Sequence, residues 1–424
     1  MRDARRTWAV RRSAAQPRGV PVRRMGHRRW AFFSSLLSMP ADPPLFTRSF
    51  TIICLATLFF YLSFYLILPV MPLYVAAMGG TSFQIGLIIG FFAFVAMILR
   101  PPAGWIIDTR GCRLVLFVGM SMFLLASLGY TVANSVTTVL ILRLFHGIGM
   151  GLFPTAATVV VAEVAPPARR GEAMGWFGIA NSIGLIAGPA SGTALAGWLG
   201  YPMLFLVAAG MAALGLLCIL ILPEMGQALA KSARLPRPQD LYSRPALLPS
   251  AIVLFLYLPY GVMVAFIPII AVNRGLENAG TYYTAFALAM LAIRAKAGTV
   301  SDRRGRAVVV IPGLLITGFA FAVLGLTSGW IWVLVGAVIF GLGFGSAQPA
   351  LMALTADRVR IEDRGKAMGT FYVAWELGIM SGSTGAGLLL GIMDSSFLLL
   401  ACSIFPAIGA LLALKTRSPA VPRS

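Results

Sequence analysis

The sequence predicts an all-α integral membrane protein: twelve spanning helices arranged as two six-helix bundles related by a pseudo-twofold axis. Three observations predict it. The composition is too apolar for a water-exposed surface, apolar runs of bilayer length recur along the chain, and one segment pattern occurs twice at a fixed offset. Of 424 residues, 58% are hydrophobic and 11% charged, and the mean hydropathy is +0.86. Soluble domains carry about 25% charged residues. A lipid-facing surface can be built from this composition, whereas a solvated one cannot.

A helix needs about 20 apolar residues to cross a hydrocarbon core of roughly 30 Å. Runs of that kind lie near 50–75, 83–107, 113–134, 137–162, 172–197 and 201–222, and then near 249–272, 281–300, 306–327, 331–356, 366–391 and 396–414. These give a first six-helix bundle over 45–222 and a second over 249–415. Between them, residues 223–248 (PEMGQALAKSARLPRPQDLYSRPALL) are polar, basic and proline-bearing, which reads as a cytoplasmic linker. Residues 416–424 form a short tail on the same side.

The 34 Lys and Arg outnumber the 14 Asp and Glu. In a soluble protein such an excess points to nucleic acid. Here the cations sit in every second gap between apolar runs: Arg110 and Arg113, Arg169 and Arg170, Lys231 to Arg244, Arg303 to Arg306, Arg358 to Lys366, and Lys415 onward. The alternate gaps are nearly free of them, and Arg274 is balanced there by Glu277. Cytoplasmic loops carry this Lys/Arg bias. Both termini are therefore expected in the cytoplasm, with the bilayer of the cell membrane as partner and no nucleic acid. Residues 1–44 read as a basic, disordered tail, with ten arginines and one acid (Asp3) before residue 39. No central apolar region makes it a secretory signal. A transit peptide, a segment attracted to anionic lipid and a true start at Met39 all fit it. The cysteines Cys54, Cys112, Cys218 and Cys402 show neither metal-ligand spacing nor a disulfide framework. They read as small apolar residues.

The repeat is the most specific signal. RPPAGWIIDTRGCRLVL begins at Arg100, and RAKAGTVSDRRGRAVVV begins at Arg294, an offset of 194 residues. The same offset pairs GIGMG (147–151) with GLGFG (341–345), Glu163 with Asp357, RGEAMG (170–175) with RGKAMG (364–369), Gly184 with Gly378, and Gly188 with Gly382. Parallel repeats with a site at their interface near the midplane are a transporter architecture.

These residues carry a family resemblance. The loop GWIIDTRGCR places Gly104, Asp108, Gly111 and Arg113 as in the loop motif of the major facilitator superfamily, with Thr109 and Cys112 departing from its basic preference. The second copy keeps Gly298, Asp302, Arg303, Gly305 and Arg306. The resemblance covers roughly residues 45–415. It implies that these loops form a conformational latch, in which Asp108 and its basic neighbours hold the halves together on the cytoplasmic side in one state. A solvated, topology-setting loop is the alternative.

The fifth run, GIANSIGLIAGPASGTALAG, sets Gly184, Gly188 and Gly192 four apart on one helical face, with Pro189 after the second. Small residues at this spacing let helices pack closely, and a proline interrupts the backbone ladder. The pattern resembles the antiporter motif of the superfamily's drug–proton antiporters. Ser383 stands at the equivalent of Pro189.

Three ionisable groups inside spans are the candidates for proton coupling. Arg143 and His146 are three apart, on one face of the fourth run. An arginine at a helix centre costs about 2.5–3.5 kcal/mol on insertion scales, so it must face a cavity or a partner. Arg143 resembles the helix 4 arginine that the family links to proton transfer; a structural role bonded to backbone carbonyls is the alternative. For His146 the alternative is a packing residue. Glu376 lies about 18 Å in from Arg364 at 1.5 Å per residue. An intramembrane acid is a functional candidate by default. The first run, where drug antiporters often carry an acid, has none.

In the superfamily, helices 1, 4, 7 and 10 line the central cavity. That nominates Tyr61, Tyr65, Tyr257, Tyr260 and Gln348, with Asn181 and Trp375 from the fifth and eleventh runs, as substrate contacts. No G-x-x-x-x-G-K-[ST] loop, metal cluster or catalytic triad occurs. The chain is thus expected to be no enzyme, to need no cofactor or metal, and to work as a monomer on a small-molecule substrate and protons. The expected activity is export of hydrophobic or amphipathic compounds by proton antiport. Uptake symport, or facilitated or sugar efflux on the same scaffold, is the nearest alternative, and a non-transporting sensor or enzyme a remote one.

Overall fold

The computed structural model describes residues 45–223, 242–360 and 363–416. The expected basic tail, most of the linker and the last eight residues lie outside the described residues. All regular structure among the described residues is helical. The first six spans are α1 (Arg48–Ile67) with its continuation α2 (Val70–Ala77), α3 (Ser82–Arg110), α4 (Cys112–Tyr130), α5 (Val136–Val164) and α6 (Arg170–Ile221), which holds two spans. The second six are α7 (Leu247–Asn273), α8 (Gly280–Arg304), α9 (Ala307–Leu326), α10 (Trp330–Asp357), α11 (Arg364–Leu389), and the pair α12 (Ser395–Cys402) and α13 (Ile404–Leu414).

The helix ends follow local chemistry. Thr81 accepts from the Gln84 backbone N–H while the Gln84 side chain accepts from the Thr81 N–H, a reciprocal cap that satisfies two otherwise orphan donors. Gly111 and Gly305, at matching positions of the repeat, end α3 and α8 with φ of 85° and 95°. Only glycine adopts that conformation freely. Gly200, at φ 82°, breaks α6 between its two spans.

Nine helices among the described residues are long and apolar enough to cross a membrane, one of them the 52-residue α6. Helices α8 and α11 fall short of that measure. The difference has a cause: Arg294, Lys296 and Glu376 dilute their apolar character. With α6 counted twice and these two included, the described chain makes twelve passes.

Glycine faces set the packing. A Cβ on Gly184, Gly188 or Gly192 would press into Tyr61, Tyr65 and Leu66, so α6 lies directly on α1. Gly378 and Gly382 seat α11 on Tyr257 and Leu258 of α7 in the same way. Further glycines join the bundles, two of them paired by the repeat. Gly86 of α3 abuts the Ser383 carbonyl of α11, and Gly280 of α8 abuts the Pro189 carbonyl of α6. Gly86 and Gly280 are themselves 194 apart, as are Pro189 and Ser383. The repeat therefore builds the same contact twice, at the end opposite the basic loops. Around Gly280, Thr193 bonds to Asn278, the Asn278 amide donates to the Ala190 carbonyl at 3.1 Å, and Thr284 donates to the Ile186 carbonyl at 2.8 Å.

Candidate transport cavity

A cavity of about 1050 Å³ lies between the bundles. It runs from Asp108, Gly365 and Lys366 at the basic end to Tyr65, Tyr260 and Val264 at depth. Its walls come from α1 (Tyr61, Phe64, Tyr65), α3 (Phe92, Arg100, Trp105), α5 (Arg143, Pro154, Thr158), α6 (Phe177, Asn181), α7 (Tyr260) and α11 (Tyr372, Trp375, Glu376). The glycine contacts described above shut the far end. The helices therefore stand with the basic end open and the opposite end closed.

Of the residues nominated from sequence as substrate contacts, Tyr61, Tyr65, Asn181, Tyr260 and Trp375 line this cavity. Tyr65 donates to Asn181 Oδ1 at 3.3 Å, which fixes the amide's orientation. Tyr257 and Gln348 sit elsewhere in this arrangement. Tyr257 is fully buried and stacks on Trp375 at 4.2 Å, behind the wall. Gln348 accepts from Arg294 at 3.3 Å.

Glu376 is on the wall, and its partner was not among the nominated residues. Arg100 Nη2 donates to Glu376 Oε1 at 2.6 Å, a charge-assisted bond between the two bundles. The glutamate side chain is 7% exposed and the arginine side chain 26%, so the acid is sheltered while the cation borders the cavity. The Tyr372 ring lies 5.0 Å from the guanidinium carbon and supports it from one face. Pro101 and Pro102 follow directly inside α3. They remove two backbone donors next to Arg100. Arg100 was visible in the sequence only as the first residue of the repeat; a cation inside a span was the signal that marked it.

Arg143 and His146 are both buried. Arg143 Nη1 lies 3.3 Å from His146 Nδ1, and the Tyr130 hydroxyl lies 3.3 Å from the same nitrogen. A guanidinium only donates, so Nδ1 accepts and the ring proton of a neutral imidazole sits on Nε2. Among the described residues Arg143 makes no bond to a backbone carbonyl, and its Nε and Nη2 have no hydrogen-bond partner.

The two loop motifs differ. In the second, Arg306 bonds Asp302 and, at 2.9 Å, Asp357 at the end of α10. All three residues belong to the second six spans. Cys112 occupies the equivalent of Arg306 in the first, between Asp108 and Glu163. Asp108 is exposed and forms no ion pair among the described residues. Arg113 donates to the Leu220 carbonyl at 3.1 Å, tying α4 to the end of α6.

Two six-helix bundles around a central, one-end-open cavity define a solute transporter of the multi-pass helical class. The Major Facilitator Superfamily model matches residues 53–360 and again 254–424. The chain belongs to this superfamily. Among similar proteins, the MFS-type transporter YhhS of Escherichia coli strain K12 is 29% identical over 383 residues, spanning 85% of this chain and 90% of that one. The quinolone resistance protein NorA of Staphylococcus aureus strain MRSA252 is 26% identical over 132 residues, 31% of this chain and 34% of that one. A crystal structure of a POT family transporter in complex with 5-aminolevulinic acid superposes with a TM-score of 0.76 at 13% identity, covering 88% of this chain and 97% of that one. That likeness concerns the fold alone.

Proposed function

We propose that this transporter exports small hydrophobic or amphipathic solutes in exchange for protons, with Glu376 as the group that takes up and releases the proton. The observation that carries the reading is the Arg100–Glu376 pair, which ties the bundles together beside the cavity. A carboxylate holds the guanidinium; a protonated carboxyl has lost the ionic part of that bond. Proton uptake thus changes how firmly the bundles are joined, and so biases the two states of the cavity differently. The six-helix units over 45–222 and 249–415 are the rocking bodies, connected by 223–248.

The rest of the reading is consistent with this. With the basic end taken as cytoplasmic from its Lys/Arg loops, the protein sits in the cell membrane with both termini inside and the open cavity facing the cytosol. The partial relationship to a quinolone resistance protein and the Gly184–Gly188–Pro189–Gly192 segment favour efflux. Asp108 and its loop act as a latch formed when the basic end closes. Arg143 contributes its charge at the deep end of the cavity, with His146 as its neutral support. The protein works as a monomer, because each chain supplies both walls of the cavity.

The test is flux in proteoliposomes with a fluorescent quinolone as first probe. An imposed proton gradient should drive uptake into the lumen, and collapsing the gradient should abolish it. Flux that is unchanged by collapse makes the protein a facilitator.

A further inference from the structure

We infer that the solute recognised here is an organic anion, a carboxylate or sulfonate head on an apolar body, and that Arg143 is its anchor. The inference rests on the transporter reading and names the substrate class. It starts from a charge imbalance. Arg100 and Arg143 border the embedded part of the cavity, and Glu376 is the acid that faces them there. Glu376 is already bonded to Arg100. The polar contact of Arg294, in α8, is the neutral amide of Gln348.

Arg143 is 1% exposed. Its polar neighbours are the imidazole of His146 and the phenol of Tyr130, neither of them an anion. Among the described residues no carboxylate lies within ion-pair distance of it. Two of its guanidinium nitrogens are buried without a partner. A buried charge left unpaired is strongly unfavourable, and the described residues provide no counter-charge. The cavity it lines provides the space for one.

The surroundings describe the rest of the ligand. Phe64, Phe92, Tyr61, Tyr65 and Tyr260 line the same depth and offer an apolar, aromatic sleeve. The Phe92 ring lies 5.2 Å from the Arg143 guanidinium carbon and is itself a cavity residue. In the proposed complex this ring turns aside and the anionic head meets the guanidinium. The head then replaces a weak cation–ring contact by a charge-assisted bond, while the body stays against the tyrosines.

The experiment is equilibrium binding to the full-length protein in phosphatidylcholine nanodiscs, read by tryptophan fluorescence. It is done without a proton gradient, so loss of coupling and loss of anion selectivity are seen separately. The probes are 2-naphthoate, 2-naphthalenesulfonate, the neutral 2-naphthamide and the cationic 2-naphthylmethylammonium. The two anions should bind at least tenfold more tightly than the amide, and the ammonium most weakly. Arg143→Gln should erase the difference, and Arg143→Lys should keep part of it. Should Arg143→Gln fail to fold, the wild-type ranking and Arg143→Lys carry the test. Equal binding of anion and amide, preference for the ammonium, absence of binding by all four probes, or full anion preference in a folded Arg143→Gln protein would each overturn it.

Discussion

Arg100 and Glu376 stand 276 positions apart in the chain and bind each other directly across the bundle boundary, nitrogen to oxygen at 2.6 Å. The bond lies about 15 Å from the basic end of α3 and about 18 Å from that of α11, at 1.5 Å per residue. It is thus placed at mid-depth from both sides. An ion pair there holds one arrangement of the bundles without closing the cavity.

The pair should behave as a unit. Arg100→Met leaves a sheltered carboxyl without its cation, whereas Arg100→Met with Glu376→Met removes both charges. The single variant should lower the thermal midpoint more than the double, with a coupling of about 1–3 kcal/mol between the sites. Additive losses in a thermal-shift assay would show that the two side chains do not support each other.

Gly86 and Gly280 are two of the glycines that hold the closed end together. A side chain at Gly86 or Gly280 meets the backbone carbonyl of Ser383 or Pro189, atoms that cannot turn away. Gly280→Val and Gly86→Val should each disfavour this arrangement by about 1–3 kcal/mol. Distances between spin labels placed on the two bundles at that end should lengthen. An unchanged distance distribution in both variants would remove these contacts from the gate.

Packing of α6 on α1 makes a different prediction. At Gly192 a Cβ would overlap the Leu66 carbonyl oxygen within one bundle, so Gly192→Ala should destabilise the protein rather than shift its state. A loss of about 1–3 kcal/mol is expected, with label distances in the folded fraction unchanged.

The two loop motifs can be compared by making them alike. Arg306→Cys copies Cys112 into the second loop and removes the cation shared by Asp302 and Asp357. Because both acids are exposed, the loss should be small, about 0.5–1 kcal/mol. Asp108→Asn should reduce transport while leaving the amount of protein in the membrane unchanged. Normal transport in that variant would rule out a latch at the first loop.

The sequence showed the scaffold more clearly than the site, for physical reasons. Apolar runs and a constant offset are local or periodic signals, so twelve passes and the paired ends at Gly111 and Gly305 could be read directly. Glu376 stood out because an acid inside a span is costly. Arg100 carried the same signal, yet it read as a repeat marker, since nothing local connects α3 to α11. Tyr257 was nominated from its helix, but helix identity does not say which face a residue takes, and stacking on Trp375 turns it from the cavity. The missing partner of Arg143 was equally invisible, because an absence of counter-charge becomes a fact only when the neighbours are known.

The most direct test of the account is proton-driven quinolone flux in proteoliposomes, wild type beside Glu376→Gln. The amide keeps the size of the side chain and a hydrogen bond to Arg100, and cannot take up or release a proton. Flux driven by the gradient in wild type and lost in Glu376→Gln, with the variant folded and still binding substrate, is the predicted result. Gradient-driven flux at the wild-type rate in Glu376→Gln would contradict it.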